Sequence, residues 1–218
     1  MMVGNAVFCR LKEGVAMQPL PKHLVLDTAT DFLYVALFEG SRCLASVYRQ
    51  GYNNHSETLM PEVYRLFTEV GWVPRDLDAV LVGIGPGSYT GVRIGVVIAK
   101  MLGFSLSIDV LSISSLALLA SGAESGPVTA WIDARRGMAF AGVYTFEQDR
   151  LVCLEADRYR PRPDKENDPT PLEQARPNPL KLFGTPLIQK VRDIHQLEPV
   201  YLRQTEAEAQ HAQRGRKV

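Results

Sequence analysis

The chain has 218 residues, 46% of them apolar, and its 24 Lys plus Arg are balanced by 24 Asp plus Glu. That length supports one large domain or two small lobes, each with a real core, and the zero net charge excludes a chain that grips nucleic acid by its own field. Cys9, Cys43 and Cys153 lie too far apart for a disulfide framework or a structural zinc site, which suits a reducing compartment.

In chain order, residues 1–21 show weak patterning and no apolar core followed by a small-residue cleavage site. They read as a flexible extension rather than a secretion signal, with the fold starting near Lys22. His23–Thr30, "HLVLDTAT", reads as a buried strand ending in a turn; "DFLYVALFEG" and "SRCLASVYRQG" supply two more, in an antiparallel meander. A helix over Ser56–Val70, closed by Gly71, comes next. A strand at 78–84, a glycine loop, a helix at 90–104 and a short helix over Ser112–Gly122 follow. Gly126–Phe146 then gives two strands about an Arg-Arg-Gly turn, as if the meander began again.

This order, β-β-β-α-β-α and then a restart, predicts an α/β protein of two lobes, 22–122 and a smaller 123–203. Six prolines and many charges make 157–179 an expected mobile loop, and 204–218 an expected disordered tail. The apolar stretch Val92–Leu106 is interrupted by Arg93 and Lys100 and reads as too short and too charged to cross a bilayer.

Both long helices carry surplus apolar surface. On the first, Leu59, Val63, Leu66 and Val70 form one stripe and Met60, Tyr64 and Phe67 a second, an arc of about 160° where one sheet contact needs about 100°. Pro61 either kinks this helix or marks its first turn. On the second, Arg93 and Lys100 share a narrow polar strip, and nearly all else from Val92 to Phe104 is apolar or Gly. Gly95, Ala99 and Gly103 make a small-residue strip suited to close approach. Two readings compete: loops and the second lobe cover these faces, or a partner does. The interface candidates are Met60, Tyr64, Phe67, Val92, Gly95, Val96, Ile98, Ala99 and Leu102.

In "IGPGSYTGVRIG" (Ile84 to Gly95), Gly85 and Gly87 permit a tight turn, and Ser88 or Thr90 can cap the helix. No Lys-Ser/Thr follows, so it is not a P-loop, nor is it a dinucleotide fingerprint. Phosphate binding and plain capping both stay open. Asp27 and Thr28 can hold a hydrated magnesium ion and a phosphate oxygen, or simply cap a turn. His23, His55, His195 and His211 have no metal-ligand spacing, and Ser88 lacks His–Asp partners for a hydrolase.

"LVLDTAT", "HSETLMPEV", "GIGPGSYTGVRIGVVIAK", "SISSLALLA", "IDARRGMAFAGVY" and "EPVYLR" together resemble the TsaB (YeaZ) family, from about residue 23 to 203. The resemblance implies a two-lobed actin/Hsp70-like (ASKHA) fold of RNase H-like lobes in a cytoplasmic protein. It implies a non-catalytic scaffold for TsaD, the catalytic paralogue, working with TsaE to transfer a threonylcarbamoyl group to the tRNA adenosine next to the anticodon. Such a chain has no catalytic residue and no metal; it meets tRNA only through the complex, touches no membrane and pairs with itself when alone. It requires no cofactor, and ATP or ADP is expected only at the interface with TsaD. Asp27, Thr28, Gly85, Gly87, Ser88 and Thr90 become a vestigial phosphate or nucleotide site.

TsaD holds its metal with a pair of histidines, and no such pair follows "SISSLALLA" here. The over-apolar helices are, by resemblance, those that pack on TsaD or on a second copy. The N-terminal extension and the 157–179 loop depart from the family pattern and leave the completeness of the second lobe open. The alternative function is an ATP-dependent enzyme of the same fold using Asp27 and the 85–90 loop; a metallopeptidase lacks its ligands.

Overall fold

The computed structural model describes residues 22–51 and 54–203, so the expected extension (1–21) and tail (204–218) lie outside the described residues. Strand β1 (Lys22–Asp27) is apolar on both sides because it lies mid-sheet. Leu24 and Leu26 enter one layer of core and Val25 the other. It pairs antiparallel with β2 (Phe32–Glu39), and β2 with β3 (Arg42–Gln50). Helix α1 (His55–Val70) leads to β4 (Ala79–Gly83), parallel to β1. Helix α2 (Tyr89–Leu106) leads to β5 (Asp109–Ile113), parallel to β4. The resulting order, β5-β4-β1-β2-β3, is the RNase H-like arrangement the sequence suggested.

Strand β5 was not expected. Ser112–Gly122 reads as one helix, but β5 runs to Ile113 and helix α3 (Ser115–Ser121) starts only after its N-cap Ser114. A short strand buried on both faces has no period of its own to betray it. Pro61 sits inside α1, which begins six residues earlier at His55, so it does not mark the first turn.

The second sheet repeats the first in outline. Strands β6 (Val128–Asp133), β7 (Met138–Glu147) and β8 (Arg150–Pro161) form an antiparallel meander. Strand β9 (Pro171–Leu172) lies parallel to β6, giving the order β8-β7-β6-β9, as β4 lies parallel to β1. Residues 162–170 stand where the first lobe has α1, so this lobe keeps the meander and lacks the helices. Finally β10 (Gln189–Lys190) returns to pair with β5.

The expectation of a loop from 157 to 179 is corrected by these strands. Residues 157–161 belong to β8, and 171–172 to β9. Asp168 pairs with Arg160 on β8, Thr129 N–H donates to Pro169 O at 2.9 Å, and Arg162 lies over the Trp131 ring. Polar residues here gain partners on the sheet instead of solvent, so composition alone overstated the disorder.

Four layers result. Helices α1 and α2 cover one face of the first sheet, and α3 fills the space between the two sheets.

Candidate functional site

The α1–α2 layer presents an apolar face to solvent. Sheet packing takes Leu59, Val63, Leu66 and Phe67 from α1, leaving Tyr64 73% exposed and Met60 36% exposed. On α2, Val97 is 61% exposed, Phe104 68% and Met101 45%, with Ile94 and Ile98 half-buried beside them. Val97, Met101 and Phe104 lie at i, i+4 and i+7, a single row along the helix. An exposed apolar patch of this kind marks a contact site.

Burial corrects the interface assignment made from sequence. Phe67, Val92, Gly95, Val96, Ala99 and Leu102 are in the chain's own core, so no partner can reach them. Of the nine candidates, Met60 and Tyr64 are exposed and Ile98 half-buried. Val97, Met101 and Phe104 were missed, although their shared row was readable.

The small-residue strip explains the misplacement. A Cβ on Gly95 would lie 2.8 Å from Thr28 Oγ1, and one on Gly103 would lie 2.3 Å from Val110 Cγ2. The glycines bring α2 down onto its own sheet, not onto a second helix.

By composition α2 is long and apolar enough to cross a bilayer, with mean hydropathy 1.3 over 18 residues, so the sequence reading of "too short" does not hold. Its packing along the sheet, with seven buried residues, is that of a core helix.

Of the six residues proposed to hold phosphate, Asp27, Thr28, Gly85 and Ser88 bond to their neighbours Ala29, Gly91 and Ser115, while Thr90 is exposed. Asp27 Oδ1 accepts the Ala29 N–H at 2.8 Å, and Oδ2 accepts from Ser115 Oγ at 2.5 Å. Thr28 Oγ1 donates to Gly91 O at 2.7 Å. In the glycine loop, Gly85 N–H donates to Ser115 Oγ and Ser88 N–H to Ala29 O. Ser88 Oγ caps α2 by accepting the Gly91 N–H at 3.2 Å. A Cβ on Gly87 would sit 2.3 Å from Ala29 O, so this glycine permits the loop to press against the β1–β2 turn. The Gly85 and Ser88 N–H groups and the Thr28 hydroxyl are thus spent internally, whereas Gly87, Ser88 and Thr90 also line the cleft between the lobes.

An interlobe cleft of about 590 Å³ lies next to the loop, lined among others by Phe32, Tyr89, Asp133, Arg135, Phe140 and Arg203. Asp133 ends β6 as Asp27 ends β1, and it makes the same turn, accepting the Arg135 N–H at 2.9 Å. Arg162 pairs with Asp133 at 2.8 Å and holds its carboxyl below the usual range. Among the described residues, no three His, Cys, Asp or Glu side chains gather as metal ligands.

Sequence reading missed a buried cluster at the start of α3. Asp157, from β8, accepts hydrogen bonds from Ser114 Oγ and from Tyr144 Oη, the latter at 2.5 Å. Gly142 makes room for it, since a Cβ there would lie 2.4 Å from Asp157 Oδ1. Burial pushes the Asp157 carboxyl up to about 6, against the lowering pull of the two hydroxyls. Burial raises Asp27 as well.

A family model described as "TsaD: tRNA N6-adenosine threonylcarbamoyltransferase" matches residues 49–159. The "tRNA threonylcarbamoyladenosine biosynthesis protein TsaB" of Bacillus subtilis is 32% identical over 219 aligned positions, covering 85% of this chain and 96% of that protein. The protein of the same name from Escherichia coli is 34% identical, over 59% of this chain and 57% of its own length. Among solved structures, YeaZ from Pseudomonas aeruginosa superposes with TM-score 0.62 and 35% identity, over 66% of this chain and 68% of that one. An uncharacterised protein described as similar to the peptidase YeaZ of that organism reaches 0.71 at 28% identity, over 84% of this chain and all of that one.

Proposed function

The chain belongs to the TsaB family and has its actin-like (ASKHA) fold, and from that premise we propose that it is a non-catalytic scaffold subunit in tRNA threonylcarbamoyladenosine biosynthesis. It docks TsaD through the α1–α2 face and so supports transfer of the threonylcarbamoyl group to the tRNA adenosine next to the anticodon. TsaE joins that assembly, tRNA is met through it, and the chain is cytoplasmic. Alone, it pairs with a second copy through the same face.

One observation carries this reading: Tyr64, Val97 and Phe104, large apolar side chains on neighbouring helices, are left mostly exposed after each helix has seated its sheet-facing residues in the core. Exposed residues of that kind are favourable only when something covers them. The filled hydrogen bonds of Asp27 and the glycine loop support a structural part for them. A nucleotide in the assembly belongs at the boundary with TsaD.

Reconstitution tests the proposal. The isolated chain should neither hydrolyse ATP nor modify tRNA, and modification by TsaD with its other partners should need this chain. ATP turnover by the purified chain, lost in Asp27→Asn, would favour an enzyme instead.

A further inference from the structure

The face on α1 and α2 has a third element beside it. Helix α1 lies over β2 and β3, and α2 over β4 and β5. Beyond α2, on the side away from α1, runs the segment Ile194–Tyr201. Ile194, Leu197 and Val200 of this strap pack inward against the same core as the helices. Lys100 Nζ, on α2, donates to His195 O at 2.9 Å and to Leu197 O at 3.1 Å. Val200 N–H donates to Ile84 O at 2.7 Å, tying the strap to the glycine loop.

The outward side chains of the strap meet the exposed row of α2 at both ends. His195 sets its ring against Phe104, with centroids 5.8 Å apart. Tyr201 stacks on Tyr89 at 4.8 Å and accepts from Arg93 Nε at 2.8 Å, while the Arg93 guanidinium lies 4.1 Å from the Tyr89 ring centre. Tyr89, Arg93, Val97 and Met101 succeed one another at i+4. Tyr201 thus continues the apolar row rather than standing apart from it, and is itself 40% exposed.

We infer that the docking surface for TsaD is composite, formed by α1, α2 and the strap, with Tyr201 as an anchor at one end and His195 at the other. This rests on the reading that the α1–α2 face docks TsaD. Tyrosine and arginine are the residues in which contact energy concentrates, and a ring already held by a neighbour loses little freedom on binding. The strap is preorganised for this, being hydrogen-bonded to α2 along its length.

The test titrates full-length chain with TsaD from the same organism and compares Tyr201→Ala with Tyr201→Phe. Tyr201→Ala should weaken binding at least tenfold, and Tyr201→Phe, which keeps the stacked ring, should weaken it by less than about threefold. Hydrogen exchange of the unmutated chain gives a second readout: peptides spanning 194–203 should slow on adding TsaD, together with those of α2. Wild-type affinity in Tyr201→Ala, or unchanged exchange at 194–203 with α2 protected, would overturn the inference and leave TsaD docking on the helices intact. If Val97→Glu also binds normally, the docking reading itself has failed.

Discussion

Asp27 and Asp157 belong to different sheets, yet their carboxyl groups are bound by adjacent hydroxyls, those of Ser115 and Ser114, where α3 begins. The lobes are therefore joined through one buried helix start.

A pH dependence follows from Asp157. Its carboxyl is raised in the folded chain to about 6 from an ordinary 3.8, so the folded state binds the proton more tightly than the unfolded state. Stability from this group is full below about pH 4 and is lost as pH rises through about 6. Asp27 is raised too and adds in the same direction. Thermal midpoints measured between pH 4 and 8 should fall across that window, and Asp157→Asn should flatten the slope. A midpoint rising from pH 4 to 6 with the same slope in Asp157→Asn would contradict this.

Ser115→Ala should destabilise the chain by roughly 2–4 kcal/mol, because it orphans two buried groups at once, Asp27 Oδ2 and the Gly85 N–H. Urea denaturation reads the loss. A change below about 0.5 kcal/mol would mean that this hydroxyl does not hold β1 and the glycine loop to the start of α3.

Gly103→Ala separates the two readings of the small-residue strip. Alanine favours a helix over glycine by about 1 kcal/mol, yet the added methyl meets Val110 at 2.3 Å. Overpacking of this kind costs about 1–3 kcal/mol, so the melting temperature should drop. If it rises while TsaD affinity falls, the strip faces a partner after all.

Much of the first lobe was legible because its signals are local. Short apolar runs bounded by turn residues, the Gly71 stop and the Ser88 cap mark β1 to β4, α1 and α2 without reference to the rest. What failed was phase. Two apolar stripes on α1 and an almost wholly apolar α2 leave the sequence undecided over which face the sheet takes. Glycine contacts with Thr28 and Val110 settle that only in three dimensions. Strand β5 has no pattern of its own, and the polar 157–179 segment hid the end of β8. The Asp157 cluster was invisible because Ser114 and Tyr144 reach it from separate elements; its one sequence hint is an aspartate interrupting the strand after "LVCLEA". Tyr201 lay within a recognised motif, but its meeting with Arg93 spans 108 positions.

Two adjacent valines give the most direct test of the account. Val96 is 2% exposed and Val97 61%, so a glutamate at each asks opposite questions. Val96→Glu buries a charge without a partner and should prevent folding. Val97→Glu should melt within a few degrees of the unmutated chain, yet bind TsaD at least 100-fold more weakly by calorimetry. A folded Val97→Glu chain with unchanged affinity for TsaD would contradict the claim that this face exists to be docked.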